Sequence, residues 1–194
     1  MDNFFLNNTF VIDEKVQMLK LTNGYKVYDG DGKEIGIIKE VMPASRILLS
    51  IFLSKQNLPM TLEVRNTEDK VIASLTRGFT LFMSKMKVLN EKGEQIAFIK
   101  QKFGLKPKFE ILDLSEKKIA TIQGDWTAWN FNITDNNNSP LGSVSKQFNG
   151  LAKELFTDAD KYVVNIEPTV TDEAQRIAIA STAAAIDMIL KENN

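Results

Sequence analysis

A chain of 194 residues with 43% hydrophobic content can bury one large core, and 24 basic against 25 acidic side chains call for neither nucleic acid nor an anionic surface as an obligatory partner. The absence of cysteine excludes disulfides, thiolate nucleophiles and palmitoylation, and the absence of histidine removes the commonest general base and the commonest neutral metal ligand. The opening MDNFFLNNTF has no basic region and no long apolar run, so the expectation is a cytoplasmic protein without a secretory leader.

In chain order, TFVIDE and VQMLKLT (residues 9–22) read as a first hairpin ahead of Asn23-Gly24. A repeated unit follows, in which an alternating strand, a polar turn and a second strand recur. YKVYDGDGKEIGIIKE (residues 25–40) is the clearest copy, and MTLEVRNTEDKVIASLT, MKVLNEKGEQIAFIKQ, KFEILDLSEKKIATIQ and WNFNITDNNNSPLGSVSKQ repeat it. Val64, Val88, Ile111 and Ile133 hold equivalent places, recurring every 22 to 24 residues. Period-2 alternation around Asp-Gly, Lys-Gly and Asn-rich turns is a hairpin signature. PASRILLSIFLSKQNLP (residues 43–59) interrupts the repeat, and its apolar run Ile47–Leu53 suits a short buried helix or a strand. DKYVVNI (residues 160–166) adds a last strand. No low-complexity linker divides the chain, which reads as one domain over residues 1–194.

The final stretch, TDEAQRIAIASTAAAIDMILKENN, predicts a helix of about twenty residues, roughly 30 Å long, with Thr171 as N-cap. Ile177, Ala180, Ala184 and Met188 line one side of it, while Ile179, Ala183, Ile186 and Leu190 line the opposite one. A helix apolar all round must be enclosed on all sides, and its alanines make it thin. The run from Ile177 to Ile186 is too short for a membrane span and contains Ser181 and Thr182. About twelve antiparallel strands tend to close, because closure removes exposed edges, and the cavity then needs a filler. The expected fold is mainly β, a closed antiparallel barrel of about twelve strands around a central hydrophobic C-terminal helix.

FEILDL, then LGSVSKQFNGLAKELFTDADKYVVNI, then an apolar helix with AIDMILKE resemble the phospholipid scramblase family. The most specific residues are Gly142, Val144, Ser145, Lys146, Phe148 and Gly150, followed by Phe156-Thr157-Asp158-Ala159-Asp160 with Tyr162. The resemblance covers about Ile96 to Glu192 and extends earlier only in topology. It implies the tubby-like, LURP-one-related barrel, in which strands enclose a hydrophobic C-terminal helix. Members known for membrane work carry a proline-rich N-terminal extension and a cysteine cluster, neither of which stands in this sequence.

By that resemblance, Asp158 and Asp160 match the start of a segment proposed to bind Ca²⁺. Ca²⁺ takes six to eight oxygen ligands, so two carboxylates are a beginning that Asp172 or Glu173 could extend, and the plain alternative is a polar turn. Lys100, Lys102, Lys106 and Lys108 form the densest basic run, KQKFGLKPKF, with no acid inside it. Tubby-like barrels bind phosphoinositide head groups on basic patches, so by resemblance this run is a candidate anionic-lipid contact. Its plain alternative is a solvated connection with Phe103 and Phe109 turned into the core. GDGKEIG (residues 30–36) leads into a strand rather than a helix, so it is a turn and not a phosphate loop. Asp187 is a charge deep in the helix whose expected partner is a Lys, an Arg or a Trp N–H at a barrel mouth. Trp126, Trp129 and Phe131 read as core, or as an aromatic rim.

These readings converge on a non-enzymatic, scramblase-like protein that binds anionic phospholipid, phosphoinositide included, peripherally at a membrane surface, with a role in lipid distribution. Ca²⁺ is the one cofactor in view and none is required. The alternative is a cytosolic protein-interaction or regulatory barrel whose partner is an unidentified protein.

Overall fold

Twelve strands carry the expected alternation of inward apolar and outward polar side chains. In the computed structural model they are β1 (Thr9–Asp13), β2 (Gly24–Tyr28), β3 (Glu34–Val41), β4 (Met60–Asn66), β5 (Val71–Arg77), β6 (Lys85–Asn90), β7 (Gln95–Lys102), β8 (Lys108–Leu112), β9 (Lys118–Asp125), β10 (Asn130–Thr134), β11 (Pro140–Ser145) and β12 (Lys161–Ile166). A short 3₁₀ turn, Asn3–Leu6, precedes them, and one helix, α1 (Glu173–Glu192), follows. The structure describes residues 2–13, 24–41, 57–79, 84–102, 104, 108–125, 129–146 and 161–192. VQMLKLT and the Ile47–Leu53 run lie outside them.

Each strand pairs antiparallel with its neighbours in sequence, and β1 pairs with β12, which closes the barrel. Closure leaves no edge strand to blunt. The equivalent positions Val64, Val88, Ile111 and Ile133 all point inward and are at most 1% exposed.

Five hairpins share one turn. In each, the residue after or at the end of the first strand (Asp29, Asn66, Asn90, Asp113, Asp135) turns its Oδ1 back on two backbone N–H groups, two and four residues on, at 2.7–3.1 Å. The fourth turn residue is left-handed in every copy: Gly32, Asp69, Gly93, Glu116 and Asn138 have φ between 60° and 82°. A register shift sits beside each turn, as a bulge does where one strand carries an extra residue. The Asx side chain supplies the donor-satisfying partner and so fixes the register of its hairpin.

All five turns project from one end of the barrel, because the strands run up and down in sequence order. The other connections (13→24, 41→60, 77→85, 102→108, 125→130 and 145→161), four of them longer than any of the five turns, join strands at the other end. Helix α1 enters from the tight-turn end. Asp172, one residue beyond the expected Thr171, is its cap: Oδ1 accepts from the Gln175 N–H at 2.8 Å, and its carbonyl accepts from the Arg176 N–H.

A twelve-stranded barrel is too wide for its own side chains to fill, and α1 occupies the lumen. Every residue from Ile177 to Asp187 is buried, which is the all-round enclosure that its apolar circumference demands. Ala178, Ala183, Ala184 and Ala185 are fully enclosed, so strands approach the helix backbone closely on several sides. Thr182 satisfies its hydroxyl on the Ala178 carbonyl at 2.8 Å.

Arg176 plugs the tight-turn end. Its guanidinium donates to the carbonyls of Phe5, Val170, Leu6 and Asn7 and to Asn8 Oδ1 at 2.7–3.3 Å. The plug ties the N-terminal segment to the β12–α1 connection. Burial lowers the affinity of this guanidinium for its proton, and carbonyl dipoles compensate in place of a carboxylate.

Two stability outcomes follow from the packing. Arg176→Met should lower unfolding free energy by at least about 2–3 kcal/mol in denaturant titrations, since several buried carbonyls lose their donor at about 1–3 kcal/mol each. Ala184→Leu should cost about 1–3 kcal/mol by overpacking the lumen. An unchanged midpoint for Ala184→Leu would mean that the helix is not closely held.

Candidate functional site

Two constellations lie toward the end of the longer connections. The first is on the outside. Alternation along β7 turns Ala97 and Ile99 inward and Phe98, Lys100 and Lys102 outward. Register then sets Lys85 opposite Lys100, and Lys102 opposite Lys108. Lys100, Lys102 and Lys108 thus share one face with Lys85. Lys106 lies outside the described residues, as does Phe103, while Phe109 is fully buried as expected.

The run is free of acid in sequence but not in space. Glu110 pairs with Lys102 at 3.5 Å, and Glu116 with Lys85 at 2.7 Å. Lysines 85 and 100 together hold the Glu116 carboxyl below its ordinary range, with the Lys85 hydrogen bond the larger cause. Lys85 also sits 4.1 Å over the ring of Phe98. Lys108 borders a shallow groove of about 670 Å³ on the outside of β8, β9 and β10, lined among others by Lys118, Thr121, Gln123, Asn130 and Asn132. Gln123 faces both Lys108 and Asn132 across the strands, so the lysine face runs directly into a floor of amides and hydroxyls.

The second constellation is inside, where two tyrosines hold Asp187. Tyr162 Oη donates to Oδ1 at 2.6 Å and Tyr25 Oη donates to Oδ2 at 2.7 Å. Tyr25 and Tyr162 are inward residues near the starts of β2 and β12, so they clamp the helix between the first and last thirds of the chain. Burial pushes the Asp187 carboxyl up from its usual range, while the two hydroxyls and the charge of Lys146 pull it back down. The Tyr25 hydroxyl is pushed far above its ordinary value, first by burial and then by the carboxylate it serves.

Around the clamp the lumen becomes polar. Arg77 is buried at the end of β5 and donates to Ser84 Oγ and the Leu58 carbonyl, both at 2.9 Å. Glu40 is buried near the end of β3. Trp129 and Tyr162 stack at 4.6 Å between centroids, and the Lys146 ammonium lies 5.2 Å and 4.8 Å from the two rings. Trp129 is half-buried against Phe131, a core residue, so it serves both core and rim; Trp126 lies outside the described residues.

Asp158 and Asp160 also lie outside the described residues. Of the carboxylates named as possible further ligands, Asp172 caps α1 and Glu173 opens it, one β12 length, about 20 Å, from Lys161. Among the described residues no group of three or more Asp, Glu, His or Cys is placed to hold a metal ion.

The Asp187 clamp makes a pH signature. A carboxyl whose folded pKa is raised binds its proton more tightly folded than unfolded. Its contribution therefore falls as pH rises from the ordinary aspartate range through the raised folded value. The difference in unfolding free energy between the native chain and Asp187→Asn should change across that window, with the native chain losing ground toward higher pH. A pH-independent difference would show that Asp187 titrates normally.

A family model described as Scramblase matches residues 6–193. A phospholipid scramblase family protein of Schizosaccharomyces pombe is 25% identical over 213 aligned residues, covering 95% of this chain, and the match spans 55% of that protein's length. An Arabidopsis thaliana protein solved by X-ray crystallography superposes with a TM-score of 0.54 at 9% identity, covering 96% of this chain and 91% of the other, a likeness of fold alone. Among the described residues no helix is long and apolar enough to cross a membrane. The barrel with its enclosed helix is the tubby-like arrangement, and the chain belongs to the scramblase family.

Proposed function

We propose that this chain is a non-enzymatic barrel that binds anionic phospholipid peripherally, through Lys100, Lys102, Lys106 and Lys108, and so takes part in lipid distribution. Family membership ties it to phospholipid in general. The observation that carries the finer reading is the pair of like-charge oppositions, Lys85 against Lys100 and Lys102 against Lys108. Directly opposed like charges destabilise a sheet, and Glu110, opposite Lys100 and 3.5 Å from Lys102, and Glu116, 2.7 Å from Lys85, offset them only in part, so the surplus of positive charge on this face suits an anionic partner.

Two features support the assignment. Acids outnumber lysines in the five tight turns, which also carry Lys33, Lys70, Lys92 and Lys117, so the turn tips would be drawn to an anionic leaflet less than the lysine face is. The groove beside Lys108, lined by amides and hydroxyls together with Lys118, Asp125 and Asp135, offers donors and acceptors to the ring hydroxyls of an inositol. A peripheral, charge-led contact also fits a chain without cysteine for acylation.

Liposome co-sedimentation tests this. Binding to phosphoinositide-containing vesicles should exceed binding to neutral ones and weaken with salt. Each Lys→Ala change at 100, 102, 106 or 108 should lower affinity about fivefold, the equivalent of about 1 kcal/mol per lysine near an anionic leaflet. Lys108→Thr should also raise unfolding free energy by about 0.2–1 kcal/mol, because it relieves an opposed pair. Weaker binding with higher stability is the pattern that a merely structural lysine would not give. On donor count, Ca²⁺ should leave binding unchanged; a Ca²⁺-dependent gain abolished by Asp158→Asn with Asp160→Asn would assign the ion to those carboxylates. Absence of vesicle binding under all conditions would overturn the lipid reading and leave a protein partner.

A further inference from the structure

The barrel mouth holds an arrangement that anionic-lipid binding does not use. Trp129 has φ of 47°, a left-handed conformation that a bulky aromatic residue rarely adopts. Its carbonyl accepts from the Lys146 N–H at 3.0 Å, extending the β10–β11 ladder by one pair and holding the strained residue in place. The result is that the indole lies beside the Tyr162 ring, at 4.6 Å and tilted by 43°, with an ammonium group over both rings. Tyr162 in turn donates to the buried Asp187 side chain, which fixes the place of its ring.

A primary ammonium is a poor occupant of such a place. Lys146 has three N–H donors and is strongly hydrated, yet among the described residues it forms no ion pair and meets two ring faces instead. A quaternary ammonium has no N–H to satisfy, is weakly hydrated, and is the cation that aromatic faces recognise best. We infer that Trp129 and Tyr162 form a binding site for a quaternary ammonium, the choline of a phospholipid head group, and that Lys146 is the internal occupant it displaces. The displaced ammonium is then free to meet the phosphodiester of the same head group. This site is on the inner rim of the mouth, distinct from the outer lysine face, and its ligand carries no net negative charge.

The test uses the fluorescence of Trp129 in a Trp126→Phe background, since the chain has only two tryptophans. Phosphocholine and dihexanoyl phosphatidylcholine should give saturable changes at least tenfold tighter than phosphoethanolamine, and binding of the zwitterionic dihexanoyl phosphatidylcholine should depend little on salt. Dihexanoyl phosphatidylcholine should bind at least as well as phosphocholine; a preference for the free compound would overturn the lipid source. Tetramethylammonium, which has no phosphate for Lys146 to meet, should bind several-fold tighter to Lys146→Gln than to the native side chain, because the occupant is gone. Trp129→Leu, followed by calorimetry, should abolish binding. Should that variant fail to fold, the Lys146→Gln comparison still decides. Equal response to quaternary and primary ammonium head groups, or no saturable response in either the native chain or Lys146→Gln, would overturn the inference. Neither result bears on vesicle binding by the lysine face, which is read with anionic lipid and lost with other residues.

Discussion

The structure depends on one geometric constraint: twelve strands closed into a barrel leave a lumen that strand side chains cannot fill, and an unfilled lumen would forfeit both burial and dispersion contacts. Helix α1 resolves this by being apolar on every side and narrow. Its alanines trade buried area for fit, because a ring of leucines at Ala183, Ala184 and Ala185 would collide with strands already in contact with the helix. The helix is not simply a greasy plug. It is tied at its entrance by Arg176 to carbonyls of the N-terminal segment, and deeper in by Asp187 to Tyr25 and Tyr162. The two ties engage opposite ends of the sequence, so the helix, the first strands and the last strand stabilise one another.

The two ends of the barrel are built by different rules. One end repeats a single turn five times, each with an Asx residue satisfying two backbone donors, and so is short, regular and acidic. The other end bears the longer connections, the buried Glu40, Arg77 and Asp187, a tryptophan in a strained conformation and the opposed lysines. Loops on a rigid scaffold and departures from local preference are where function concentrates. Opposed lysines, a left-handed tryptophan and buried charges each cost free energy, and they share one region of a molecule that is otherwise locally consistent.

Much of this was legible in the sequence because the signals were local. Period-2 alternation and turn chemistry marked each hairpin, and an apolar circumference marked the enclosed helix. The cap was displaced by one residue, from Thr171 to Asp172, since both can accept from the helix N–H groups and only the chain path chooses. What the sequence did not show was pairing across long separations. Asp187 is 25 residues from Tyr162 and 162 from Tyr25, and nothing local announces that two strand-start tyrosines face it. Glu110, the residue just after the run, reaches Lys102 across the β7–β8 pairing, and Glu116 reaches Lys85 from the turn beyond β8, contacts that a run read by itself as acid-free does not reveal. Arg176 did leave a signal: a cation in the first turn opposes the helix dipole, and a residue that breaks that preference in an apolar helix has a partner elsewhere.

The ties also bear on how such a chain meets a bilayer. To leave the lumen and enter lipid, α1 would have to break the five hydrogen bonds of Arg176 and both tyrosine bonds of Asp187. It would then carry Arg176 and Asp187, one at each end of its apolar run, toward a medium in which ionisable side chains are costly. Alanine recovers little of that cost, being only weakly hydrophobic. The same residues that make the helix thin enough for the barrel therefore make it unsuited to lipid. Its stable place is the lumen, which leaves the outer lysine face with its polar groove and the rim at Trp129 as the surfaces proposed to engage phospholipid.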